Sequence, residues 1–251
     1  MNRLKEVYKE MAKKDYTVLF EDEHLIIVDK RSGLLTIPDR YRTDIPNLYN
    51  ILQTTYEEVY VVHRLDKGTS GIICFAKTKE AHRLLSLQFQ ERIPLKRYHA
   101  IVQGVPFESE GVIDAGLSPN KEGGMRVDIK RGKPSVTEYK VLDSYGQFAL
   151  IEATILTGRT HQIRIHLKHL GHPLAVDPLY ANKEELYLSE IKRKKFNLKK
   201  HTDERPLLTR VPLHAHYLSF EHPITQKAIE IECAYPKDMR AILNQLNKWG
   251  K

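Results

Sequence analysis

Between Val59 and Lys77 the chain reads VYVVHRLDKGTSGIICFAK, and this stretch constrains the fold more than any other. Val59 to Val62 and Ile72 to Ala76 are apolar, β-rich runs that read as core strands. Between them stands HRLDK, with four charged or titratable side chains out of five. If both runs lie in one sheet, Asp66 sits beside a low-dielectric interior, where a carboxylate is costly unless a cation lies against it. Arg64 and Lys67 are local candidates, and a remote one such as Arg164 is equally open. A structural ion pair pinning a turn, with Gly68 and Gly71 supplying unusual backbone angles, meets the demand as well as a functional site does.

The rest of the chain supplies a mixed set of elements. Leu4, Val7, Tyr8 and Met11 recur at helical spacing and predict a short basic helix over residues 1–16. In VLFEDEHLIIVDK, two β-rich runs flank a polar turn, as in a hairpin, and SGLLTIPDRYRTDIPNL reads as loop. Lys79 to Arg92 predicts a helix stopped by Pro94. Tyr98 to Ile155 alternates through about five strands with glycine-containing turns, the pattern of an antiparallel meander. Thr160 to Leu170 predicts a helix capped by Thr160 and closed by Gly171, burying Ile163, Leu167 and Leu170 while His161, Arg164 and Lys168 form a polar stripe elsewhere. A closing hairpin, LHAHYLSFEHP with KAIEIECAYP, precedes a terminal amphipathic helix over Lys237–Trp249. Without repeats or a low-complexity linker, the economical expectation is one α+β domain spanning 1–251, with a central mixed, mainly antiparallel sheet and a basic surface insertion at 183–206.

Composition narrows the partners. A formal net charge of +8 attracts polyanions and points to nucleic acid, although mild basicity alone carries little specificity. Six Lys or Arg fall between Lys192 and Lys200, and such a run is either a solvated face or an RNA contact. No stretch approaches the ~18 apolar residues of a membrane span and no secretory signal is seen, so the expected location is cytoplasmic. The two cysteines, Cys74 and Cys233, form no CxxC pair and read as reduced thiols. No GxGxxG or GxxxxGKS/T loop is present, and GTSG at 68–71 lacks nucleophile-elbow spacing, so no cofactor is expected. His161, His214 and His216 could be drawn as a zinc site, but hydrogen-bonded histidines explain them more simply and no metal is expected.

Four ordered motifs then resemble the RluA family of RNA pseudouridine synthases: FEDEHLIIVDKRSGLL, HRLDKGTSGIICFAK, FQERIPLKRYHAIVQG and TGRTHQIRIHLKHLGHP. The closing LHAHYLSFEHP and AYP are similar too, so the likeness runs over residues 18 to 236. It implies a pseudouridine synthase fold acting without cofactor on structured RNA, rRNA or tRNA; a monomer is the default expectation. It implies Asp66 as the catalytic aspartate, Tyr98 as the tyrosine that stacks on the uracil and Arg164 as the arginine that pairs with the catalytic carboxylate. It also implies Arg64 as the residue that enters the RNA stack when the target base leaves. Lys67, His161, Lys168, Lys192, Arg193, Lys194 and Lys195 are the further expected RNA contacts. Lys30-Arg31 departs from the family's Lys-Pro, which alters a loop. About 17 residues precede the first motif, too few for the S4 RNA-binding domain of many relatives, and the basic helix and insertion are expected to substitute for it. The rival readings are a non-catalytic RNA-binding or ribosome-assembly protein and, more remotely, a zinc-dependent hydrolase.

Overall fold

A computed structural model describes residues 15–42, 44–197 and 203–250. The helix expected over 1–16 lies almost wholly outside them. The chain divides into two compact units, one running up to Lys96 and resuming over Ala215–Ala234, the other comprising Arg97–His214 and the chain from Tyr235 onward.

The first unit starts with β1 (Tyr16–Glu21) and β2 (Leu25–Lys30), the expected antiparallel hairpin. Its turn is closed by Asp22, whose Oδ1 accepts from the His24 and Leu25 amides. The following loop contains a short helix, α1 (Leu48–Leu52), that the breakers Pro38 and Pro46 concealed; the Asn47 side chain caps it. β3 is shorter than its apolar run, only Tyr60–Val61, and pairs antiparallel with β4 (Ser70–Ala76). All seven β4 residues are buried, because β2 pairs along its other edge and α2 (Lys79–Gln90) covers it. Thr78 caps α2 through the Ala81 amide, and Ala81 and Leu85 pack into the same core as Leu25, Ile72 and Cys74.

In the second unit β5 (Leu95–Gln103), β6 (Glu110–Asp114), β7 (Leu117–Pro119), β8 (Met125–Val127), β9 (Val136–Ser144) and β10 (Phe148–Ile155) follow in sequence. Sheet order corrects the meander: it is β5-β10-β9-β6, with β7 and β8 forming a separate two-stranded ribbon. α3 (Gln162–His169) begins two residues later than expected; His161, not Thr160, holds the N-cap position, in the left-handed region at φ 55°. Gly171 follows the helix at φ +92°, as a terminating glycine should. α4 (Leu188–Lys192) runs into a single 3-10 turn.

The chain then forms β11 (Leu213–Glu221) and β12 (Ala228–Glu232), the expected closing hairpin, giving the first unit the order β1-β2-β4-β11. α5 (Lys237–Trp249) ends the chain with Met239, Ile242, Leu243 and Leu246 buried at helical spacing. Those residues pack against Leu186, Ile191 and Leu208, so the 183–206 segment, expected as a surface excursion, is anchored in the second unit's core by two apolar side chains. Its residues 198–202 lie outside the described ones.

Candidate active site

Asp66 stands on the irregular connection between β3 and β4, half-buried, with Arg64 and Lys67 exposed on either side. This connection is gripped by the loop that follows β2. The Thr36 hydroxyl, itself buried, donates to the Leu65 carbonyl at 2.8 Å and accepts from the Leu65 amide at 3.1 Å. Beyond Asp66, the Gly33 amide donates to the Lys67 carbonyl at 2.7 Å and the Ser32 hydroxyl donates to the Gly68 carbonyl at 2.7 Å. The Asp66 carbonyl accepts from the Thr69 amide at 3.1 Å. The peptide bearing Asp66 is thus tied down on both sides, which fixes where its carboxylate can reach.

The gripping loop is in turn held by Lys30, which has no solvent exposure and whose ammonium donates to the carbonyls of Arg31 and Leu34 at 3.0 and 2.8 Å. Arg31, the departure from Lys-Pro, pairs with Asp15 at 2.6 Å. Sequence reasoning missed Thr36 and Lys30 as positioning residues. A lysine closing a strand that opens with the apolar run Leu25–Val28 was the available signal, because a buried ammonium must be surrounded by acceptors.

Two further features stiffen this ledge. His63 stacks on Phe89 at 4.6 Å and 17° and accepts from the Cys74 amide through Nε2 at 3.1 Å. Burial, aided by the Lys96 charge, pushes its pKa down to about 3, so the ring is neutral. Gly71, at φ +111°, opens β4 against β11; a Cβ there would lie 2.2 Å from the Ala215 carbonyl oxygen.

In the second unit, Tyr98 is buried on β5 opposite Ala153 of β10. The next residue, His99, is anchored by the Tyr235 hydroxyl at Nδ1 and by Glu152 at Nε2, 3.3 Å away. Arg164 corrects the reading of α3. It is buried, not part of an exposed stripe, and its Nε and Nη2 both donate to Asp177 at 2.7 Å. Asp177 is completely buried and also accepts from the Leu179 and Tyr180 amides at 3.0 Å. The Arg164 guanidinium lies over the Tyr180 ring at 4.7 Å, and Tyr180 in turn bonds His161 Nδ1 through its hydroxyl at 2.7 Å. His161, Arg164 and Tyr180 therefore form one cluster. Exposed Lys168 reaches the same ring at 6.0 Å, beside a cavity of about 540 Å³ lined by Met125, Ile165, Lys168 and Tyr180.

Lys192, Arg193, Lys194 and Lys195 lie apart from that cluster, around the C-terminal end of α4. The histidines drawn as a zinc site are otherwise engaged. His216 Nδ1 bonds the Cys233 carbonyl at 2.7 Å, and His214 packs 6.0 Å from the Tyr235 ring. Among the described residues no group of three or more His, Cys, Asp or Glu is arranged to hold a metal ion.

Comparison with known proteins agrees with the motifs. Residues 24–169 match the family model described as RNA pseudouridylate synthase. The dual-specificity RNA pseudouridine synthase RluA of Salmonella typhi is 38% identical over 210 residues, covering 82% of this chain and 87% of that protein. The ribosomal large subunit pseudouridine synthase D of Zymomonas mobilis is 33% identical over 241 residues, covering 91% of this chain and 72% of its own. Human RNA pseudouridylate synthase domain containing 4 has the same fold, with a TM-score of 0.73 at 24% identity and 98% coverage of both chains. With three of the four sequence motifs on strands of antiparallel sheets and the fourth on α3, and with relatives matched over most of its length, the chain belongs to the RluA family of RNA pseudouridine synthases.

Proposed function

We propose that the protein isomerises specific uridines of a structured RNA with Asp66 as the catalytic carboxylate, acting on a base drawn out of its stack. The observation that carries this is the double grip on Leu65, Lys67 and Gly68, which presents a half-buried carboxylate on a rigid ledge rather than on a loose loop. Isomerisation breaks the bond from C1′ to N1, turns the uracil and joins C1′ to C5; C5 gives its proton to solvent and the freed N1 takes one up. The composition is unchanged, and no redox step is needed. The carboxylate serves either by attacking C1′ or by removing the 2′ proton, and both routes require it ionised.

The other roles follow the family motifs. Tyr98 stacks on the uracil, and Arg64, exposed beside the carboxylate, fills the gap left by the flipped nucleotide. Arg164, its Nε and Nη2 held by Asp177, is the arginine that the motif assigns to the catalytic carboxylate. Base flipping costs a few kcal/mol, offset by cations gripping the flanking phosphates. Lys67, His161 and Lys168 are suited to that task. A stem-loop of rRNA or tRNA is the substrate class expected from the motifs; the relatives' names speak of RNA and of the ribosomal large subunit.

The test is tritium release from RNA carrying uridine tritiated at C5. Wild type should release tritium and Asp66→Asn should fall to background. Equal release by both would refute the role of Asp66. Mapping pseudouridines in cells with and without the protein identifies the RNA.

A further inference from the structure

The second unit holds a cleft of about 470 Å³ between α5 and the α4 segment. Tyr145, Phe148, Leu246 and Trp249 give it an apolar, aromatic floor, and the four bases from Lys192 through Lys195 form its rim. Three ammonium groups crowd the Trp249 indole, with Lys192 at 4.5 Å, Lys248 at 5.1 Å and Lys195 at 5.9 Å from the ring centre. Among the described residues one carboxylate lines the cleft, that of Glu190, and it is engaged by the Lys183 ammonium and the Tyr187 amide.

An indole face flanked by several cations is the chemistry of a single-stranded nucleic acid site, in which a base stacks on the ring while neighbouring phosphates take the charges. Lysines gathered around one ring repel each other, and a phosphate chain relieves that repulsion while releasing its own counterions. The backbone supports the arrangement: Arg193 takes φ +50° at the end of α4, so the bases that follow wrap the rim in a 3-10 turn instead of continuing along the α-helix.

We propose that this cleft is an auxiliary docking site for an unpaired stretch of the substrate RNA, with Trp249 as the stacking platform and Lys192, Arg193, Lys194, Lys195 and Lys248 as phosphate contacts. It rests on the reading that the substrate is RNA. It adds a second point of attachment, so its loss affects binding more than chemistry.

Trp249 is the only tryptophan in the sequence, so indole emission, excited to the red of tyrosine absorption, reports on this cleft. Titration with a short oligouridylate should quench it in a saturable, salt-sensitive manner. Inorganic polyphosphate should bind without comparable quenching, because it has no base to stack, and polyglutamate should leave the emission unchanged. Lys192→Ala with Lys195→Ala should reduce the slope of log affinity against log salt by about two. Trp249→Ala should weaken RNA retention in filter binding by about five- to hundredfold. The double lysine variant should raise KM for tritium release and leave kcat unchanged. No quenching while tritium release proceeds normally, or equal quenching by polyglutamate, would overturn the proposal. Saturable quenching by oligouridylate without tritium release from any RNA would leave the docking site standing and remove the isomerase reading.

Discussion

The double grip on the Asp66 peptide can be broken by one nearly isosteric change, Thr36→Val. The Thr36 hydroxyl both accepts from and donates to Leu65, at 3.1 and 2.8 Å, and both residues are buried. Valine fills the same volume and leaves a buried amide and a buried carbonyl without their partner. Each such orphan costs about 1–3 kcal/mol, so a loss of about 2–4 kcal/mol is expected, less whatever relaxation recovers. In urea, with a slope of about 2–3 kcal/mol per molar, the unfolding midpoint should fall by about 1 M. Catalysis should suffer separately, because a carboxylate displaced by about 1 Å loses up to a hundredfold in rate. Tritium release should therefore show kcat reduced about ten- to hundredfold with KM for RNA nearly unchanged. Thr36→Ser keeps the hydroxyl and should recover both properties to within about 1 kcal/mol and a few-fold in rate. A stable Thr36→Val variant, or a destabilised one with wild-type kcat below its melting range, would refute the reasoning.

Three other perturbations separate the remaining forces. Gly71→Ala places a Cβ 2.2 Å from the Ala215 carbonyl at φ +111°, while Gly33→Ala at φ +89° meets open space; urea unfolding should show about 1–2 kcal/mol of left-handed strain for Gly33→Ala and a much larger loss for Gly71→Ala. Arg164→Lys keeps a charge but loses the fork onto Asp177, and thermal unfolding should report about 2–3 kcal/mol of destabilisation. Acid should weaken the fold through His63 and His166, both pushed down by burial. A histidine whose folded pKa is depressed takes up its proton on unfolding, so its contribution is whole above the unfolded value of about 6.5 and is lost as pH falls from there toward the folded value. The carboxylates held low in the fold, such as Asp238 beside Arg210, keep their contribution whole above their ordinary range and lose it only as pH falls below that range, so a urea midpoint that is flat between pH 6.5 and 5 would contradict the histidine reading.

What the sequence conveyed was whatever a local pattern can encode. β4 is an unbroken apolar run bounded by glycine, and α5 repeats its apolar residues at three- and four-residue steps; each needs nothing beyond its own letters to be placed. Asp66 was legible for the same reason, as a charge inserted where the pattern demands none. Pairing partners were not: β6 carries the same alternation whether it joins β5 or β9, and nothing local distinguishes them. In the 183–206 segment the weight of lysine and arginine hid Leu186 and Ile191, which hold it to the core.

The burial of α3 shows why such failures concentrate at the functional cluster. Gln162, Arg164 and His166 count as surface residues in any hydrophobic pattern, yet all three are buried. Their cost is met only by complete sets of partners, several of which lie far away in the chain. The Gln162 amide nitrogen donates to the Val136 carbonyl and the Thr137 hydroxyl, while its oxygen accepts from the Thr157 hydroxyl and the Arg159 amide. His166 reaches the Thr137 hydroxyl and the Ala115 carbonyl, and Arg164 has Asp177. An apolar helix would fill this space at lower cost, but it could not hold a guanidinium at a fixed position against Asp177. Because a half-satisfied polar network is worse than none, the residues that position Arg164 must be specified jointly with their partners, and a reading that takes one segment at a time cannot recover them.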